Sequence, residues 1–135
     1  MNALLDTHAL LWLADDPQRL PTSIVALCED ETNGLNVSIA SFWELTIKMS
    51  LGKITLSEDA LPRLSRWCHD NAISILPIEL NHLAQLQTLC FHHRDPFDRL
   101  LIAQAQSENM AIISVDEHFA AYDVDILWGE RTQRP

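Results

Sequence analysis

The sequence predicts a single α/β domain built on a parallel sheet of about five strands, with helices on both faces. Short apolar runs alternate along the chain with one or two amphipathic helical segments, a pattern typical of parallel β-α units. Several runs are apolar at consecutive positions, as expected for parallel strands that are buried on both faces. A length of 135 residues with 47% hydrophobic residues suits one hydrophobic core, so we expect one domain.

The chain begins with a strand and two helices. Residues 3–5 form an apolar run that ends at Asp6, which predicts a strand. Residues 9–14 follow with apolar side chains on one side, which predicts a helix. Pro21 takes a first helical position ahead of a second amphipathic run, and the Asn-Gly turn signal at 33–34 closes that helix.

The middle of the chain repeats the pattern. Residues 35–39 alternate apolar and polar side chains, which predicts a strand. Ser41 is the expected N-cap of the next helix, which stops at Gly52. Ser57 is the expected cap of a further helix over residues 58–69, with a proline tolerated in its early turns.

The last third of the chain continues the alternation and ends in a short tail. Apolar runs predict strands there, and three- and four-residue spacing predicts helices. The strands cover residues 73–78, 111–115 and 124–128, and the helices cover residues 80–89 and 96–109. The domain takes residues 1–128, and we expect the tail, residues 129–135, to be loosely ordered.

Composition excludes several classes of protein. Nine Lys and Arg against 19 Asp and Glu give a formal charge of −10, the wrong sign for binding nucleic acid through overall attraction. Any polyanion must therefore be held locally. Three cysteines without a C-x-x-C pair argue against a disulfide framework and a cysteine zinc site. The sequence has no secretory signal or membrane-spanning apolar run, so we expect a cytoplasmic protein without membrane contact.

Four carboxylates are expected at one edge of the sheet. Ligands of open parallel sheets bind beyond the carboxyl ends of the strands. Asp6 follows the first strand and Asp116 follows the fourth, whereas Glu44 and Asp98 each lie one turn into a helix. The sequence therefore predicts that all four acids converge.

Such a group of acids needs compensation for its mutual repulsion. Protonation, cations such as Lys48 and Arg99, or a bound metal can supply it. Mg²⁺ or Mn²⁺ is the natural choice, because hard divalent ions take carboxylate oxygens while retaining water, and can activate a water against a phosphodiester. Lys48, Arg99, Lys53 and Arg94 are also candidates for binding phosphates, with solvated surface charge as the alternative.

Each acid also has a purely structural interpretation. The two acids that follow strands can simply end those strands or cap the next helix. Asp98 lies three residues after Asp95, an expected N-cap, where an acid suits the helix dipole. Glu44 and Lys48 have the i,i+4 spacing of a solvated helix pair. The sequence pattern alone leaves both interpretations open.

These residues lie in segments that together resemble one protein family. The segments are LLDTHALLW at residues 4–12, SIASFWELTIK with LGK at residues 38–48 and 51–53, HHRDPFDRLLIAQA at residues 92–105, and SVD at residues 114–116 with Phe119. In this order they resemble the PIN domain, and more narrowly the VapC-type ribonuclease toxins of bacterial toxin–antitoxin modules. The resemblance covers nearly the whole chain.

The resemblance implies a function and a set of site residues. It implies an endoribonuclease whose catalytic acids are Asp6, Glu44, Asp98 and Asp116, of which the first, third and fourth hold Mg²⁺ or Mn²⁺. Thr7 matches a hydroxyl position beside the first acid. The resemblance also implies an RNA substrate, a homodimer, and silencing by a cognate antitoxin.

Other functions compete with this hypothesis. A catalytically silent protein-interaction module with the same fold is the main alternative. A phosphatase or phospho-acceptor with Asp6 as nucleophile lacks the paired N-terminal acids of that chemistry. A zinc hydrolase using histidines lacks a suitably spaced motif; its candidates are His8, His92, His93 and His118. We expect an antitoxin to bind apolar anchors around the first helix, including Leu11 and Trp12.

Overall fold

The computed structural model describes residues 1–91 and 94–129 and the backbone of residues 131–133. The strands are β1 (Asn2–Leu5), β2 (Gly34–Ser38), β3 (Ile73–Leu76), β4 (Ala111–Ile113), β5 (Ile126–Trp128) and β6 (Arg131–Gln133). The α-helices are α1 (Thr7–Asp15), α2 (Thr22–Glu29), α3 (Ile39–Ser50), α4 (Ala60–Asp70), α5 (Leu80–Thr88) and α6 (Pro96–Glu108). Short 3₁₀ helices cover Pro17–Arg19 and Glu117–Ala121. His92 and His93, named above as zinc candidates, lie outside the described residues.

The strands form one sheet in the order β3-β2-β1-β4-β5-β6. The first five are parallel to their neighbours, and β6 runs antiparallel to β5. The predicted five-stranded parallel sheet is therefore confirmed. Because β1 lies between β2 and β4, the residues that follow these three strands emerge side by side at one edge.

Helices cover both faces of the sheet, as predicted. Ala3, Leu4 and Leu5 are all fully buried, although successive side chains of a strand point to opposite faces. Leu5 belongs to an apolar core with residues of α1 to α4, whereas Leu4 packs in a second core with Leu101 and Ile102 of α6. This double burial explains why β1 has no polar alternation in the sequence.

Two predicted helix caps are wrong. Helix α3 begins at Ile39, and its N-cap is Ser38, whose hydroxyl accepts a hydrogen bond from Ala40 N at 3.0 Å. Ser41 lies within the first turn. Helix α4 begins at Ala60 rather than at residue 58, and Ser57 donates to Asp59 Oδ1 at 2.7 Å instead of capping the helix. A start at residue 60 keeps the later proline in the first turn, where a missing N–H leaves no intrahelical bond unmade.

The strand ends and the tail also differ from the prediction. β4 ends at Ile113, two residues early, because the chain turns when Asp116 N donates to Ser114 Oγ at 2.9 Å. The tail was expected to be loosely ordered, but its residues 131–133 form β6 and add an antiparallel strand to the sheet edge. None of the helices in the described part of the chain has the length and apolar character needed to cross a bilayer.

Candidate active site

Asp6 both caps α1 and faces the edge of the sheet. Its carboxylate accepts a hydrogen bond from Ala9 N at 2.8 Å, so Asp6 does cap the helix. Only 6% of the residue is exposed, and this burial raises the pKa of the carboxyl group. A hydrogen bond from the Ser114 hydroxyl opposes the rise. Helix capping uses one carboxylate oxygen, so this interaction alone does not exhaust the acceptor capacity of Asp6.

Glu44 is buried and tied to α1 by Thr7. The Thr7 hydroxyl lies 2.7 Å from Glu44 Oε1 and 3.0 Å from Ser41 Oγ. Because one hydroxyl carries one hydrogen, Thr7 donates to the carboxylate and accepts from Ser41. Lys48 Nζ pairs with the other oxygen, Oε2, at 2.8 Å. The i,i+4 pair is thus formed, but its acid is only 6% exposed.

Asp98 carries the clearest electrostatic sign that the acids converge. It is half-buried in the first turn of α6, where its backbone N–H donates to the N-cap residue, Asp95, at 3.2 Å. The pKa of Asp98 is raised to about 7, first by burial and then by the carboxylates of Asp95, Glu44, Asp116 and Asp6, in that order. The four predicted acids therefore lie close enough for the other three to act electrostatically on Asp98.

Asp116 completes the group from the far side of β1. It caps the 3₁₀ helix, accepting from His118 N at 2.9 Å and lying 2.8 Å from His118 Nδ1. About a third of its side chain is exposed, more than for Asp6. Ser114 connects the two acids, since its hydroxyl donates to Asp6 and accepts from Asp116 N.

Ser114 and Ser41 contact the candidate site residues, although the sequence pattern indicated neither serine for the site. Both are almost fully buried. Ser114 directly follows β4. Polar residues that follow parallel strands lie where ligands bind, and this applies to a hydroxyl group as it does to the carboxylates of Asp6 and Asp116. Ser41 was interpreted as a helix cap, which concealed its contact with Thr7.

Arg99 does not face the acids, although it follows Asp98 in the sequence. Its guanidinium donates to the Cys90 carbonyl at 2.9 Å and to Tyr122 Oη at 3.3 Å, and lies 4.0 Å from the centre of the Phe91 ring. In the described part of the chain none of its contacts is with the four acids. These contacts connect α6 to Cys90, Phe91 and Tyr122.

The donor set of the four acids fits a hard divalent cation. Carboxylate oxygens are the ligands that Mg²⁺ and Mn²⁺ prefer, and Mg²⁺ typically uses one or two of them while keeping several waters. A cation would also relieve the repulsion that raises the pKa of Asp98. The structure thus contains an acidic cluster that can bind a metal.

A second group of potential metal ligands lies between α5 and α6 and serves a different purpose. The ligand atoms of Glu79, His82 and Glu108 lie within 4.8 Å of one another. His82 Nδ1 accepts from Glu79 N at 3.0 Å, so the hydrogen is on Nε2, which donates to Glu108 Oε1 at 3.1 Å. A metal on Nε2 would force a hydrogen onto Nδ1, against that N–H donor. We therefore interpret this group as a link between α5 and α6.

Comparison with known families identifies the fold. The PIN domain family model matches residues 3–125. The chain belongs to the PIN domain family. No similar sequence was found among curated proteins.

Solved structures similar to this PIN domain include two VapBC structures and FitAcB. VapBC2 from Rickettsia felis, bound to a promoter DNA fragment, has a TM-score of 0.70 at 15% identity, covering 95% of this chain and 99% of the other. VapBC-1 from nontypeable Haemophilus influenzae gives 0.71 at 16% identity, covering 94% and 97%. FitAcB from Neisseria gonorrhoeae gives 0.60 at 19% identity, covering 93% and 96%. At these identities the likeness is one of fold.

Proposed function

We propose that this PIN domain is a metal-dependent endoribonuclease that acts as the toxin of a toxin–antitoxin module. The observation that carries the proposal is the convergence of four carboxylates, expressed in the pKa of Asp98, at the edge where open parallel sheets bind ligands. Membership of the PIN domain family supports a nuclease. The similar structures, described as VapBC and FitAcB, support the toxin–antitoxin context.

Asp6, Asp98 and Asp116 are the residues that would hold Mg²⁺ or Mn²⁺. When bound, such an ion supplies a water of lowered pKa and charge for the phosphodiester oxygens. The chain prepares these ligands in advance. Ala9 N and Ser114 fix the carboxylate of Asp6, and the helix start fixes the backbone of Asp98.

Glu44 is assigned a catalytic role beside the metal ligands. Thr7 holds one of its oxygens and Lys48 the other, so the carboxylate is fixed in one orientation. Such a carboxylate can accept a proton from water near the scissile phosphate. Thr7 and Lys48 are therefore positioning residues, whereas Arg99 binds Cys90, Phe91 and Tyr122.

We also propose two protein contacts. An antitoxin would bind near Trp12, which is half-buried, packs on Trp128 with ring centres 5.8 Å apart, and carries Arg19 over its ring at 4.7 Å. A homodimer would use the exposed apolar residues of α3, Ile39 and Trp43. A cytoplasmic location stays a prediction from the sequence.

Cleavage of a circular single-stranded RNA tests the enzymatic proposal. A circle has no ends, so its conversion to a linear product reports endonuclease activity. We expect cleavage with Mg²⁺ or Mn²⁺ and none in excess chelator. Equal cleavage with and without chelator would reject the metal mechanism. Metal binding without any cleavage of RNA would favour the catalytically silent interaction module.

A further inference from the structure

A pocket of about 280 Å³ opens beside the acidic cluster. Thr7, which also binds Glu44, forms part of its lining. Apolar side chains from α1, α3 and the segment after α3 form one part of the wall, namely Leu11, Leu45 and Ile54. The pocket lies just below the range of roughly 300–1,000 Å³ typical of small-molecule sites, so it accommodates one small group rather than a folded partner.

The rest of the lining is basic. His8, Lys48 and Lys53 all border the pocket. Lys48 is committed to Glu44 at 2.8 Å, whereas Lys53 makes no ion pair with any described residue. The chain has a formal charge of −10, so most of its surface has a negative potential. The unpaired ammonium group of Lys53 makes the potential at this pocket locally positive. The pocket therefore combines apolar surface with positive charge for an anionic ligand.

The chain places Lys53 at the pocket through a specific turn. Helix α3 ends at Ser50, and Gly52, just after the C-cap residue, takes the left-handed conformation at φ +69°. Gly52 N donates to Met49 O at 3.1 Å and Lys53 N donates to Lys48 O at 2.9 Å, as in a Schellman motif. A Cβ at Gly52 would meet nothing within 4 Å, so glycine is needed there for its backbone conformation rather than for space.

We propose that this pocket binds one nucleotide of the RNA next to the scissile phosphate, with the base against the apolar wall and the phosphate at Lys53. The inference rests on the proposed function and adds a subsite to it. It also explains how an acidic protein holds a polyanion: the contact is confined to one pocket rather than spread over a basic surface. Lys53 is on this basis a positioning residue for the substrate.

Binding of a short fluorescein-labelled single-stranded RNA tests the proposal. Its affinity is measured by fluorescence anisotropy in the presence of Ca²⁺, at each of two salt concentrations. The variants are Lys53→Ala, Lys53→Arg and the control Arg66→Ala, which removes the same charge from an exposed position outside the pocket lining. Each phosphate contact with single strands contributes about 0.7 to the slope of log affinity against log salt. The quantity compared is the affinity at about 50 mM salt divided by the affinity at about 200 mM salt. We expect this ratio to be about 2.6-fold smaller for Lys53→Ala than for the unmodified chain.

In cleavage assays with Mg²⁺ the same substitution should raise KM several-fold with kcat little changed, and Lys53→Arg should restore both affinity and salt dependence. Arg66→Ala should match the unmodified chain. If Lys53→Ala behaves like Arg66→Ala while the unmodified chain binds and cuts RNA, the subsite is refuted and the proposed function stands. If Lys53→Ala weakens binding of a co-expressed antitoxin but not of RNA, the pocket holds a protein side chain. Failure of the unmodified chain to bind or cut RNA refutes both.

Discussion

Replacing Asp98 with Asn should stabilise the metal-free protein at neutral pH while abolishing cleavage. The pKa of Asp98 is raised from 3.8 to about 7 by burial and by its neighbouring carboxylates. Between these values the folded chain retains a proton that the unfolded chain has lost. Stability contributed by this group is therefore complete below pH of about 4 and declines as the pH rises to about 7. Asn resembles the protonated form at every pH, so it removes the decline.

The size of the effect follows from the pKa. The interval from 3.8 to about 7, at about 1.4 kcal/mol per pKa unit, corresponds to at most about 4 kcal/mol above pH 7. Asp98 is half-buried, and solvent screens part of this repulsion, so we expect about 2 kcal/mol. For a chain of this length that is a rise of about 8 °C in Tm.

Thermal unfolding in chelator at pH of about 4 and about 8 measures this difference. The unmodified chain and Asp98→Asn should have similar Tm values at the lower pH. At the upper pH, Asp98→Asn should unfold at a higher temperature than the unmodified chain. Asp95→Asn is the comparison variant: it keeps the cap but removes the carboxylate that raises the Asp98 pKa most after burial, so it should recover only part of the gain at the upper pH. A Tm gap that is equal at both pH values would refute the electrostatic argument, and an active Asp98→Asn with an inactive Asp95→Asn would overturn the site assignment.

Three further predictions concern single contacts. Asp95→Ala should cost about 1 kcal/mol in urea unfolding, because Asp95 caps α6, and Asp95→Asn should cost almost nothing. Gly52→Ala should cost about 1 kcal/mol, because only its positive φ requires glycine; an unchanged midpoint would contradict this. Ser114→Ala should weaken Mn²⁺ binding about 10-fold in calorimetry, because Asp6 loses the hydroxyl that fixes its carboxylate. Unchanged affinity would assign Ser114 to the fold alone.

The sheet and the placement of the acids were predictable because both follow from short-range patterns. Consecutive apolar residues at 3–5 predict a strand buried on both faces, and the structure buries all three; within the predicted strand 111–115, Ile112 and Ile113 are buried in the same way. Parallel strands bring the residues that follow them to one edge, which is how acids 110 positions apart in sequence, Asp6 and Asp116, were expected together. Neither step requires knowledge of side-chain contacts.

The hydroxyl network was harder to predict because it depends on which helix position faces which neighbour. Thr7 and Glu44 bind each other across 37 positions, and the contact requires α3 to begin at Ile39. The sequence pattern favours a cap at Ser41 instead, and a helix that began there would place the residues of α3 on different sides. A helix boundary is set by local hydrogen bonds that several serines can make, so sequence alone chose the wrong one.

Arg99 illustrates why neighbours in sequence are poor guides to charge compensation. Successive residues of an α-helix are rotated by about 100°, so two adjacent side chains leave the helix in different directions. Asp98 faces the acids, and Arg99 accordingly lies against Tyr122 and the Cys90 carbonyl. Lys48, four residues after Glu44, returns to the same side of its helix and does pair with it. The spacing of a cation from an acid on a helix, rather than its proximity in sequence, therefore decides which charge the site receives.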